Sequence, residues 1–192
     1  MKDSKDSVVV AITGATGITV AKEFVKLLNK KGIKTHVILS ENSIISSKYE
    51  DPEFLQSIKE NATKVYENSS IDSALSSGSY LSKNISAVVV LPCTMKTLAG
   101  IANGYAENLI QRCVDVALKE GIKVVLCIRE SPLNLIHIKN MEMCCLAGCK
   151  IMPMMMSFYT KPESIEEMIH CFLARVCDQI GIEVKAKRWC DE

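Results

Sequence analysis

Arginine is scarce in this chain. Of 23 basic residues only four are Arg (Arg112, Arg129, Arg175 and Arg188), the rest are Lys, and 22 acidic residues leave a formal charge of +1. A near-neutral balance argues against nucleic acid or a membrane surface as partner, since both select a basic excess. Long apolar runs are missing too. The run from Val8 to Ile12 is too short for a signal-peptide core, and no stretch approaches the ~20 residues that cross a bilayer. A soluble, cytoplasmic protein is expected. No Cys-x-x-Cys pair exists among the nine cysteines, so the usual zinc or dithiol spacing is absent. Cys144, Cys145 and Cys149 have no His or fourth Cys at ligand spacing. The thiols read as reduced core residues, and no metal is expected. With 192 residues, 48% of them hydrophobic, the chain is expected to form a single domain over 1–192, with 181–192 as a C-terminal tail.

What the chain does have is an alternation of buried-strand and helix patterns. Strands are expected at Val8–Ile12, Lys34–Leu39, Ile85–Leu91 (closed by Pro92) and Lys123–Ile128. Shorter ones are expected near Thr63–Tyr66 and Lys150–Met152. Helices are expected at Ile18–Lys31, Tyr105–Glu120 and Leu135–Ala147. The last helix is the clearest, with Ile165, Met168, Ile169, Phe172, Leu173, Val176, Cys177 and Ile180 on one stripe. Residues 41 to 84 are the least legible. Continuous apolar strands separated by helices imply a doubly wound, mostly parallel α/β sheet with helices on both faces. Ligands bind such sheets beyond the carboxyl ends of the strands, so the residues to read are those just after each strand.

After the first strand comes Thr13-Gly14-Ala15-Thr16-Gly17. It reads equally as a phosphate loop, with the next helix offering unpaired N–H groups, or as a tight strand-to-helix turn. Ser40 and Glu41 follow the second strand. Glu41 suits a ribose hydroxyl and Ser40 a phosphate, or both simply open a helix. Thr94 and Thr97, after Pro92-Cys93, put two hydroxyls at a helix start as ligand donors or N-caps. Arg129-Glu130 follow a buried strand, where an Arg fork suits a phosphate or carboxylate; a structural ion pair is the alternative. Arg112 has Asp115 at i+3 as a surface partner, and Arg175 lies at the edge of the last helix's apolar stripe. His36, His137 and His170 show neither metal spacing nor a catalytic pattern.

Several segments together carry a resemblance. They are Pro92-Cys93-Thr94-Met95-Lys96-Thr97-Leu98-Ala99-Gly100-Ile101, Asn108-Leu109-Ile110-Gln111-Arg112, Asp115–Glu120, Arg129-Glu130-Ser131-Pro132-Leu133, Ile136–Met141, Phe158-Tyr159-Thr160-Lys161-Pro162 and Arg188-Trp189. With Thr13–Gly17 and Ser76–Tyr80, they resemble the flavin prenyltransferase family of the UbiX type over nearly the whole chain, loosely in 41–75. The resemblance implies a Rossmann-like or flavodoxin-like homo-oligomer that binds reduced FMN and dimethylallyl phosphate. The family joins the prenyl unit to flavin nitrogen 5 and carbon 6 without a metal, and the prenylated FMN serves a UbiD-type decarboxylase.

By this resemblance Gly14, Ala15, Thr16, Ser40, Thr94, Met95, Lys96, Thr97 and Arg129 match FMN contacts. Lys119, Tyr159 and Arg175 match positions holding the dimethylallyl phosphate, with Arg112 and Arg129 near that anion and Ser79 in a loop close by. Glu130 and Glu50 match acidic residues credited with assisting the chemistry, and Thr16 is grouped with them as a hydroxyl beside the flavin. Departures are Thr16 where the family usually has Ser, Glu41 for a basic residue, Ser131 for Thr or Ala, and Met154–Met156 for a run richer in Pro and Ala. Three rivals remain: an FMN-dependent cysteine-type decarboxylase, a nicotinamide dehydrogenase using Glu41, and a non-catalytic flavin-binding delivery protein.

Overall fold

The computed structural model describes residues 7–189. Six strands form one parallel sheet: β1 (Ser7–Ile12), β2 (Lys34–Leu39), β3 (Lys64–Glu67), β4 (Ile85–Cys93), β5 (Lys123–Ile128) and β6 (Lys150–Ile151), in the order β3-β2-β1-β4-β5-β6. The helices are α1 (Ile18–Lys30), α2 (Glu41–Glu50), α3 (Phe54–Asn61), α4 (Gly78–Asn84), α5 (Met95–Ala102), α6 (Leu109–Lys119), α7 (Leu135–Leu146) and α8 (Ile165–Ile180). Strand side chains alternate between two cores, which is why the strands read as unbroken apolar runs. Val8, Val10 and Ile12 pack with Phe24, Leu28, Phe172 and Leu173 on the α1–α8 face. Val9 and Ala11 pack with Leu98, Ile110 and Val114 on the α5–α6 face. Each fully buried side chain of this size contributes about 1.5–3 kcal/mol of transfer free energy.

The expected fold stands, with local corrections. The sheet is wholly parallel. β4 runs two residues past Leu91, because its last pairing, Cys93 with Ile128, resumes beyond an irregularity. α6 starts at Leu109, not Tyr105: Asn108 caps it by accepting from the Gln111 N–H, and Gly104 turns the chain at φ 69° before it. The third strand is Lys64–Glu67, and α2, α3 and α4 with a 3-10 turn fill the stretch that pattern left obscure.

Candidate functional site

Strand order reverses between β1 and β4, so the crevice of this sheet opens where their loops diverge. One side chain joins the two loops. The buried Thr13 hydroxyl donates to the Pro92 carbonyl (2.8 Å) and accepts from the Thr94 N–H (2.9 Å). Thr94 in turn caps α5, accepting from the Thr97 N–H (3.3 Å), and its hydroxyl donates to that of Thr97 (3.1 Å). Ser40 caps α2 and its N–H reaches back to Ile12 (3.1 Å). A Cβ on Gly14 would stand 2.3 Å from that of Asn42 and 2.7 Å from its backbone, so only glycine lets the β1 loop sit this close to α2.

Of the two readings open for the Thr13–Gly17 loop, the N–H groups at the start of α1 bear on the first, and an internal acceptor meets them. Glu50, 33 residues away, accepts from Gly17 N (2.9 and 3.0 Å), Thr19 N (3.1 Å) and the Thr16 hydroxyl (3.0 Å). An internal carboxylate thus takes the positive end of the helix, and Lys22 pairs with the adjoining Asp51 at 2.5 Å. This counts against the nicotinamide rival, whose pyrophosphate needs those donors. A phosphate has the next openings instead. A cleft of about 560 Å³ runs from Ser40 past Lys96, and Glu41, Glu67 and Glu107 also line it. Pattern reading passed over Asn68, which anchors the cleft wall by bonding Leu109 N (2.8 Å) and Ile110 N (2.9 Å). Its signal, an Asn just past a strand, lay in the illegible stretch.

Arg129 leaves β5 at the same rim, its N–H on the Cys93 carbonyl (3.2 Å). The alternative of an Arg129–Glu130 pair does not occur: Glu130 accepts from Ser131 N (3.1 Å), and the exposed guanidinium has no partner among the described residues. Met154 packs on Gly17 at the β1 loop, while Met155 is exposed. Cys93, beside Thr94, is fully buried, and burial pushes its thiol far up; burial pushes Cys113 up to about 12. Such thiols are inert at neutral pH. Among the described residues no three His, Cys, Asp or Glu side chains gather as a metal would need.

Not every expected residue joins this rim. Lys119 ends α6 just before the Gly121 turn into β5, at the opposite, amino-terminal rim of the sheet. It pairs there with Glu120 (2.6 Å) above Gly78, next to Ser79. Arg112 pairs with Asp115 (2.8 Å), its foreseen surface partner. Arg175 is exposed on α8 and pairs with Asp178 (2.6 Å), while Tyr159 stands edge-on to Trp189 with ring centroids 5.3 Å apart. The candidate residues therefore form three groups: the carboxyl rim, the Ser79–Lys119 corner, and the α8 face.

The Flavoprotein family model matches residues 1–177. A probable UbiX-like flavin prenyltransferase of Bacillus subtilis is 40% identical over 186 residues, 96% of this chain and 90% of that one. This chain belongs to the UbiX-like flavin prenyltransferase family. The flavin prenyltransferase UbiX of Methanocaldococcus jannaschii is also 40% identical, over 95% of this chain and 97% of its own. A structure of AnUbiX in complex with FMN and dimethylallyl pyrophosphate superposes with a TM-score of 0.92 at 34% identity, covering 96% and 97% of the two chains. A dodecameric FMN-dependent UbiX-like decarboxylase from Escherichia coli O157:H7 gives 0.90 at 36%, covering 95% and 98%. A cysteine decarboxylase from thioviridamide biosynthesis shares the fold alone with this family member, at 16% identity and a TM-score of 0.66.

Proposed function

We propose that the protein is a cytoplasmic flavin prenyltransferase that joins the dimethylallyl unit of dimethylallyl phosphate to N5 and C6 of reduced FMN, for use by a UbiD-type decarboxylase. The observation that carries this reading is the partnerless Arg129 guanidinium at the switch-point rim, beside the Thr13–Thr94 staple and the Lys96 cleft. These residues fit a flavin mononucleotide: Ser40, Thr94 and Thr97 supply hydroxyls, Lys96 and Arg129 supply charge, and the first turn of α5 supplies backbone N–H groups. Reduced flavin supplies the nucleophilic atoms when bound.

The chain's own residues do the rest. Allylic phosphate leaves only if the charge growing on its oxygens is stabilised, the role of Arg175, Tyr159, Lys119 and Arg129 as hydrogen-bond donors. Glu130 or the released phosphate takes the proton that leaves flavin C6 on ring closure. Glu50 fixes the Thr16 hydroxyl and the α1 end, so the flavin meets a rigid wall. Excluding water protects the prenyl fragment, and holding both reactants together supplies much of the rate. The three separate residue groups support a homo-oligomer: Lys119 stands at the wrong rim to serve Arg129 of its own chain, and a second copy brings the groups together. No described helix is long and apolar enough to cross a membrane.

The test is anaerobic incubation with reduced FMN and dimethylallyl phosphate, or the pyrophosphate, followed by mass spectrometry of the released flavin. A prenyl mass increment is expected, and Arg129→Ala should lose at least a hundredfold in rate. Unmodified flavin with both donors overturns the reading and leaves the delivery protein. Carbon dioxide release from a cysteine-terminated peptide would establish the decarboxylase.

A further inference from the structure

The last turn of α7 closes on two thiols. The Gly148 N–H donates to the Cys145 carbonyl (3.0 Å) and the Cys149 N–H to the Cys144 carbonyl (2.9 Å), with Gly148 at φ 102°. These two bonds and the left-handed residue make a Schellman turn, which brings the side chains at its two ends into contact. An apolar pair commonly fills those ends. Here they are Cys144 and Cys149, a spacing unlike the Cys-x-x-Cys that the chain lacks. Both are buried, whereas the four residues between them are exposed. The Cys144 thiol donates to the Leu98 carbonyl of α5 (3.8 Å) and shares a hydrogen bond with the Cys149 thiol. That thiol–thiol bond holds Cys144 below the ordinary thiol range, against the effect of burial, and pushes Cys149 above it, with burial adding to the rise.

We propose that Cys144 and Cys149 form a redox dithiol, a modification site where hydrogen peroxide closes a disulfide across the last turn of α7. The Cys144 sulfur attacks one peroxide oxygen and the O–O bond breaks, giving a sulfenic acid and water. The Cys149 sulfur then attacks the Cys144 sulfur. The S–S bond forms, the S–O bond breaks, and a second water leaves with the Cys149 proton. The two thiols lose two electrons and two protons, and the peroxide becomes two waters. The asymmetry of the pair suits this order, since the more acidic thiol attacks and the other resolves. The turn's backbone bonds hold the resolving thiol beside its target, so the second step needs no search. The exposed cover is a single helix-terminal turn, the part that frays first, and peroxide is small enough to pass it. Cys145 stands one residue further round the helix and is exposed. Cys93 and Cys127 do not compete, because complete burial raises both thiols. Reduced FMN yields this oxidant when dioxygen takes its electrons; only that source rests on the prenyltransferase reading.

Trypsin leaves Cys144, Cys145 and Cys149 on one peptide, residues 140–150. The test treats the wild-type protein, reduced at its thiols and loaded with oxidised FMN, with an equimolar dose of hydrogen peroxide. It is then alkylated with N-ethylmaleimide in denaturant, digested without reductant and mapped by mass spectrometry. The peptide should carry a single maleimide, on Cys145, and should have lost two hydrogens. Dithiothreitol before alkylation should restore a maleimide on every thiol. Cys149→Ser should stop the reaction at a Cys144 sulfenic acid that dimedone captures, and Cys144→Ser should leave Cys149 a free thiol. Full alkylation of the wild-type peptide after peroxide, a bond made by Cys145, a link to another peptide, or dimedone on Cys149 in Cys144→Ser would each overturn the proposal. If the wild type closes this bond but forms no prenylated flavin, the prenyltransferase reading fails while the dithiol stands. Prenylation by a protein whose peptide stays fully alkylated shows the reverse.

Discussion

The carboxyl rim and the α8 face hold their polar groups in different ways. At the rim, short side chains bond backbone: Thr13 to Pro92 and Thr94, and Ser40 to Ser43. Such groups have few rotamers to lose and stand ready before a ligand arrives. On α8 and at the Ser79–Lys119 corner, long charged side chains pair with one another, half exposed, at Arg175–Asp178 and Lys119–Glu120. Pairs of this kind contribute little to stability and exchange partners easily. These hydrogen bonds of the rim close on neighbouring backbone, whereas the other two groups hold their charges in side-chain pairs.

The sharpest break of that comparison is complementation. If Lys119 serves a neighbouring copy's rim, Lys119→Ala and Arg129→Ala are each nearly inactive alone, but co-expressed and co-purified they regain a measurable part of the wild-type prenylation rate, because some mixed sites carry both native residues. A mixture as inactive as its parents, with assembly intact by light scattering, would show that both residues serve the same copy's site.

A smaller effect separates the two kinds of polar group. Thr13→Val keeps the side-chain volume but strands the Thr94 N–H and leaves the Pro92 carbonyl only the backbone N–H of residue 13 (3.3 Å), both beside a buried position. Stability should fall by about 1–3 kcal/mol in denaturant titrations, and FMN affinity should fall with it as the two loops part. Arg175→Ala should do the opposite: unfolding and FMN binding stay near wild type while affinity for the allyl phosphate drops about tenfold. Equal losses of both ligands in the two variants would erase the distinction between rim and α8 face.

Much of this was legible in sequence because burial on both faces writes strands as unbroken apolar runs. β2, β5 and α8 begin and end where pattern places them. Region 41–84 was obscure because its elements are short and half exposed: α2 buries only Ser43 and Ser47, and β3 only Tyr66. The β1 loop reads equally as an anion site or a tight turn because nothing local to Thr13–Gly17 announces a carboxylate 33 residues away; that long-range contact exists only once α2 has packed. Arg129 and Thr94 were found by fold logic alone, since the end of a parallel strand is where ligands dock. The separation of Lys119 from Arg129 is a property of the sheet's two rims, which the motifs do not encode.

The smallest expected effect lies away from both regions, on β2. His36 is buried against Tyr66, with Nδ1 3.2 Å from the hydroxyl. Burial first, then Lys64 and Lys34, lower its pKa below the usual 6.5. The folded state therefore binds fewer protons than the unfolded state between that lowered value and 6.5, so stability rises with pH across the window. Above 6.5 the neutral ring carries no penalty, and as pH falls below 6.5 toward the folded value the penalty grows. Denaturant midpoints measured from pH 7.5 down to 5.5 should fall, and His36→Gln should flatten the slope in that interval while FMN affinity at pH 7.5 is retained. A variant with the wild-type slope would show that the pH dependence does not come from this ring.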